Sequence, residues 1–178
     1  MDLDQQACSM HAPFGEQACV GSAHATVRGR VDTEEDRVDV VVLIGRVLFA
    51  LIAVGSAFGG HFMATDSTAG YAESRGVKNP RAMVLVSGVL LAAAAVSLMV
   101  GIYADLGALL FGSFTLLTAF TIHHFWTDED EMTKQMEMTN FMKNLSITGG
   151  ALLAFALFAT AGDDIGLTVT GSLFDLDF

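Results

Sequence analysis

Positive charge is scarce in this chain. Nine Lys and Arg stand against 20 Asp and Glu, a formal net charge of −11, and that balance argues against nucleic-acid binding. Charge of either sign is thin, at 16% of residues against 52% hydrophobic, too apolar and too clustered for an ordinary soluble domain. No Ser-His-Asp arrangement, phosphate-binding loop or HExxH occurs, so nothing specifies a hydrolase, a nucleotide enzyme or a metalloprotease. Flavin and iron–sulfur signatures are missing too. Residues 1–38 lack the cationic stretch, apolar core and cleavage site of a secretory signal, so the first apolar segment is expected to be retained. Cysteine is limited to Cys8 and Cys19, which would stay reduced in a cytoplasm and could pair outside it.

What the sequence does contain is four apolar windows, at about 40–63, 82–104, 106–126 and 143–161. Each is long enough for a hydrocarbon core of roughly 30 Å, which takes about 20 residues. The expected fold is all-α: an integral membrane bundle of four transmembrane helices over 39–162, in a multi-pass protein of the plasma membrane. An acidic leader, 1–38, precedes it and is expected to be disordered. A short acidic tail, 163–178, follows and is expected to be loosely ordered. The acid excess, lying almost wholly outside the windows, resembles the solvated surface of salt-loving (halophilic) proteins. Arg28, Arg30 and Arg37 mark the face holding both termini, and Arg75, Lys78, Arg81, Lys134 and Lys143 mark the other. Cations on both faces leave the orientation open.

Sliding the chain by 62 positions pairs span one with span three and span two with span four, giving 13 identities over 45–101. The polar matches carry most weight: His61, Thr65 and Asp66 fall on His123, Thr127 and Asp128. Two tandem two-helix repeats of the same orientation would be related by a pseudo-twofold axis along the membrane normal. Asp66 and Asp128 are placed as N-caps of short helices in the two longer loops, both expected on the membrane surface. Gly76 suits the left-handed position after the first of these helices.

Spans one and three run in the same direction, so His61, His123, His124 and Trp126 emerge at one face, where Lys143 and Asn144 open span four. Adjacent helical residues point about 100° apart, so only one of His123 and His124 is expected to face the bundle. Two readings stay open. One is a headgroup-level pocket in which an imidazole and Lys143 or Asn144 bind quinone carbonyls, with Phe120, Phe125 or Trp126 against the ring; reducing a carbonyl takes up a proton, and imidazole titrates near neutrality. The other is an interfacial belt, since amphipathic rings suit that depth. Haem between His61 and His123 is a weaker alternative, because it needs inward-facing rings and a wide cleft.

Arg46 lies about 9 Å into span one at 1.5 Å per residue. Snorkelling to the headgroups is one reading and an ion pair with Asp105 is the other. Cys8, His11, Cys19 and His24 depart from zinc-module spacing, so no metal site is assigned. Met132, Met136, Met138 and Met142 are taken as the apolar side of a surface helix rather than copper ligands.

The ordered set Gly45-Arg46, His61-Phe62, YAESRGV at 71–77, Ser87-Gly88, His124-Phe125-Trp126, and Lys143-Asn144-Leu145 leading to Gly149-Gly150 resembles the DoxX family over about residues 40–160. The resemblance implies a four-helix membrane protein linked to quinol oxidase and thiosulfate:quinone oxidoreductase subunits, with family motifs on Arg46, His61, Tyr71, His124, Trp126, Lys143 and Asn144. Relatives often carry a glutamate where this chain has Leu91, and a basic residue in the turn that holds Asp105. The lost carboxylate weakens a proton-relay role. The expected function is a redox-linked subunit acting at the quinone pool with a soluble redox partner protein. A non-catalytic membrane anchor or assembly module is the alternative, and a small-solute transporter a third, disfavoured because only Ser and Thr lie at mid-membrane.

Overall fold

A computed structural model describes residues 37–161 and 164–174. The chain divides into two units, 1–41 and 42–178; the described part of the first is the opening of helix α1. The Cys8, His11, Cys19 and His24 set and the rest of residues 1–36 lie outside the described residues, and Arg37 and Val38 already belong to α1. Five helices follow in order: α1 Arg37–Phe62, α2 Thr65–Ser74, α3 Pro80–Val100, α4 Ala104–Thr121 and α5 Glu131–Ala161. A single 3-10 turn, Phe125–Thr127, lies between the last two. The segments Arg37–Phe62, Pro80–Val100, Ala104–Thr127 and Glu131–Ala161 are long and apolar enough to cross a membrane. The four-span expectation is met.

Small residues let the spans approach closely. Ala50, Ala53, Ala57, Ala94 and Ala108 are fully buried around Leu91, Leu98 and Phe111, and Phe49 packs edge-on to Phe111 at 5.3 Å between ring centres. A Cβ on Gly107 would stand 2.2 Å from the Ser97 Oγ, and one on Gly88 would stand 2.8 Å from the His61 Cβ. Close backbone approach drives span association where lipid is as apolar as leucine. Leu, Val and Ile on the outward faces remain exposed, as membrane contact requires.

Helix α1 closes with a π-helical segment, Ser56–Phe62. Such wide turns favour functional positions, and here the His61 Nδ1 donates to the Ser56 carbonyl at 2.8 Å. Helix α2 ends as the sequence predicts. Gly76 takes φ +86°, its N–H reaches the Glu73 carbonyl at 2.9 Å, and the Val77 N–H reaches the Ala72 carbonyl at 3.0 Å, the paired bonds of a Schellman stop. Pro80 then opens α3, where its missing N–H costs nothing.

Three features differ from the sequence reading. First, the second loop has no separate surface helix: α5 runs 31 residues from Glu131, roughly 46 Å at 1.5 Å per residue, and overshoots a 30 Å core by about three turns. Second, its cap is Asp130, whose carboxylate accepts the Thr133 N–H at 2.8 Å, while Asp128 turns away to an arginine. Asp66 sits in the first turn of α2 without capping it. Third, residues 164–174 are not loose: Ile165 is buried in the core, and Phe174 packs on Phe155 at 5.7 Å.

Candidate functional site

At the face where α1 and α4 end, five polar side chains converge from three elements. Glu137 of α5 is 1% exposed and lies at the centre. The Tyr71 hydroxyl donates to its Oε1 at 2.7 Å, and the His123 Nδ1 donates to its Oε2 at 2.7 Å. Arg75 Nη2 lies 3.2 Å from Oε1. The same guanidinium holds Asp128 with two bonds, Nη1 to Oδ1 at 2.7 Å and Nη2 to Oδ2 at 3.1 Å. Such paired bonds to a planar carboxylate are the strong form of ion pair.

Local structure accounts for each placement. Tyr71 in the last turn of α2 and Arg75 at its C-cap are four apart, hence on one face, and the Arg75 guanidinium lies 5.8 Å from the Tyr71 ring centre. The break after α4 frees His123 from the helix, so it and His124 separate. His123 turns to Glu137, whereas His124 bonds the Thr127 hydroxyl at 2.8 Å. On α5, Glu137, Phe141, Asn144, Thr148 and Ala151 form one buried stripe at the three- and four-residue spacing of a helix face.

Outside the spans, titration follows these contacts. Burial first, and then the bond to Glu137, raise the Tyr71 phenol to about 12. The bond to Asp128 raises Arg75 above its ordinary value against the opposing effect of burial, and Arg75 in turn holds the Asp128 carboxyl below its ordinary range. The network is a charged clasp that keeps Tyr71 protonated as a donor. His123 uses Nδ1 toward Glu137, and its Nε2 has no bond to a described residue. A carboxylate on one ring nitrogen fixes which nitrogen carries the hydrogen and how the ring is turned.

The other sequence candidates lie around this clasp. His61 faces Phe114 at 6.2 Å between ring centres. Trp126 is about half exposed and packs with Phe125 at 5.3 Å and Phe141 at 5.9 Å. Lys143 is exposed and bonds Asn140 of its own helix at 3.0 Å, and Asn144 is buried in the α5 stripe. The expected Arg46–Asp105 ion pair does not occur among the described residues. Arg46 donates to the Leu167 carbonyl, and Asp105 accepts the N–H groups of Leu173 and Phe174 at 2.6 and 2.7 Å. The folded-back segment takes the place each would have offered the other. Among the described residues no group of three or more His, Cys, Asp or Glu could hold a metal ion.

Sequence reasoning missed Glu137 because it lies in KQMEMTN, a stretch taken for a separate short helix on the membrane surface. The available signal was the apolar-polar stripe that continues without interruption into span four.

Residues 41–124 match the sequence model of the DoxX family. Inner membrane protein YphA of Escherichia coli (strain K12) is 33% identical over 123 residues, covering 69% of this chain and 84% of that protein. The chain belongs to the DoxX family. It is a multi-pass protein of the cell membrane, in keeping with the relative's name and its four spans. Tyr71, Arg75 and His123 fall inside the matched residues, while Asp128 and Glu137 fall beyond them. No solved structure matches the chain.

Proposed function

We propose that this DoxX-family protein is a redox-linked membrane subunit that works at the quinone pool with a soluble oxidoreductase partner. The observation that carries the reading is the buried Glu137 bridging Tyr71 and His123 at the end of the spans. Quinone reduction takes up protons at its oxygens, and an imidazole oriented by a carboxylate on one nitrogen offers the other to them as a donor. Trp126 and Phe120, both about half exposed, offer apolar surface to a ring at headgroup depth, with His124 and Lys143 as polar contacts. The partner would supply the electron-carrying cofactor.

A second reading, a membrane anchor or assembly module, draws support from the way Glu137 and Asp128 find their partners within the chain. One experiment separates the two. The purified protein is extracted for lipid quinone, then titrated with a short-chain ubiquinone analogue, alongside His123→Gln, which keeps a donor for Glu137. Quinone binding that weakens about tenfold in the variant, with the melting temperature unchanged, supports the redox subunit. No quinone in the extract and no binding of the analogue by the native protein would leave the anchor.

A further inference from the structure

At the opposite end of the bundle, residues 164–174 lie across the turn between α3 and α4. We infer that the surface formed by Arg46, Gly101, Tyr103 and Asp105 is a binding site for a turned, irregular polypeptide segment read through its main chain. Residues 164–174 occupy it within the same chain.

The contacts are of an unusual kind for a tail packed on a bundle. Arg46 Nη2 donates to the Leu167 carbonyl. The Gly101 carbonyl accepts the N–H groups of Val169 and Thr170, each at 3.1 Å. The Asp105 carboxylate takes the N–H groups of Leu173 and Phe174, and the Tyr103 N–H donates to the Thr170 hydroxyl at 2.8 Å. All but that last contact are made to backbone atoms of the segment. Main-chain recognition gives affinity that tolerates changes of sequence, and apolar anchors add selectivity; Ile165 and Phe174 are such anchors here.

The segment in place is not the best ligand this surface could hold. Arg46 is 6% exposed and Asp105 is fully buried, yet Arg46 Nε and Nη1 and Asp105 Oδ1 have no hydrogen-bond partner among the described residues. Leu167 is held at φ +60°, a conformation that L side chains adopt at a cost. A point one bond from the Gly101 Cα lies 2.9 Å from both Arg46 Nη1 and the Thr168 Cα, so the unpaired guanidinium nitrogen is beside residue 168 of the bound segment. The preferred ligand is therefore a peptide of the same turned course with a carboxylate at the position of Thr168. A partner's segment of that chemistry would displace residues 164–174. The inference does not depend on quinone binding.

The test uses the full chain in nanodiscs with a protease site placed at 162–163, cleaved after reconstitution. The probes are fluorescent synthetic peptides of residues 164–174: the native sequence, one with Thr168→Glu, and one N-methylated at Val169, Thr170, Leu173 and Phe174. Saturable exchange of the native peptide, tightened at least threefold by Thr168→Glu and weakened at least tenfold by N-methylation, is expected. Equal binding of the methylated peptide, or no tightening by the acidic one, would overturn the inference. Should cleavage unfold the protein, the intact chain carries the same test: excess Thr168→Glu peptide should speed hydrogen exchange at Val169, Thr170, Leu173 and Phe174. Exchange unchanged at saturating peptide would rule the site out.

Discussion

Glu137 brings a buried carboxylate within reach of an imidazole, a phenol and a guanidinium, and removing it takes that acceptor from His123 and Tyr71 and leaves Arg75 with Asp128 alone. Breaking one partner out of a buried charge network costs about 3–5 kcal/mol. Glu137→Ala should lose that much stability in denaturant or thermal unfolding, and Glu137→Gln, which keeps an acceptor, distinctly less. The network also sets a pH range. The Asp128 pKa is lowered in the fold by Arg75, so its contribution is present above the unfolded value and vanishes as pH falls through the lower folded value. The Tyr71 pKa is raised to about 12, so its contribution is complete below the unfolded value near 10 and is lost between there and about 12. Melting temperature against pH should fall at both ends, and the alkaline fall should disappear in Tyr71→Phe. A curve identical to the native one above pH 10 in that variant would remove Tyr71 from the network.

At the scale of elements, what the sequence reveals depends on whether a signal is local. The number of spans and the Gly76 stop rest on hydrophobic length and on a residue with a permissive backbone, and both appear in the fold as read. That only one of His123 and His124 turns inward agrees with the sequence reading, but not for the helical reason given there: both lie past the end of α4 at Thr121, and Glu137, 14 residues away, draws His123 in. The length of α5 was hidden, because the Met, Lys, Glu and Thr between 131 and 142 read as a separate surface helix unless their spacing is followed without a break into span four. Helix contacts yield a direct prediction. Gly107 and Gly88 have no room for a methyl group, so Gly107→Ala and Gly88→Ala should each destabilise by about 1–3 kcal/mol through forced separation of the spans. Gly149→Ala, with open space around its Cα, should be neutral or slightly stabilising. A chemical-denaturation series over the three variants checks the order.

Across the whole molecule, charge is buried at both ends of the bundle, and each end solves the problem differently. At the clasp, side chains of opposite sign meet. At the other end Arg46 and Asp105 do not pair; the chain instead bends back and supplies backbone groups, an answer that no reading of the spans alone could reach, since it depends on residues more than 60 positions away from Asp105. Deleting residues 164–178 should therefore remove the Arg46 and Asp105 partners together, exposing or stranding two charges. The expected loss is several kcal/mol, less whatever water recovers by entering the opened end. Arg46→Leu alone should also destabilise, by losing its bond to Leu167. In the truncated chain that same substitution should cost much less or even stabilise, because no partner remains to be lost and a buried cation is removed. This double-mutant cycle, read by unfolding of the four proteins in one detergent, isolates the coupling between Arg46 and the segment. Additive effects would mean that Arg46 is satisfied by solvent and that the segment packs there for its apolar side chains alone.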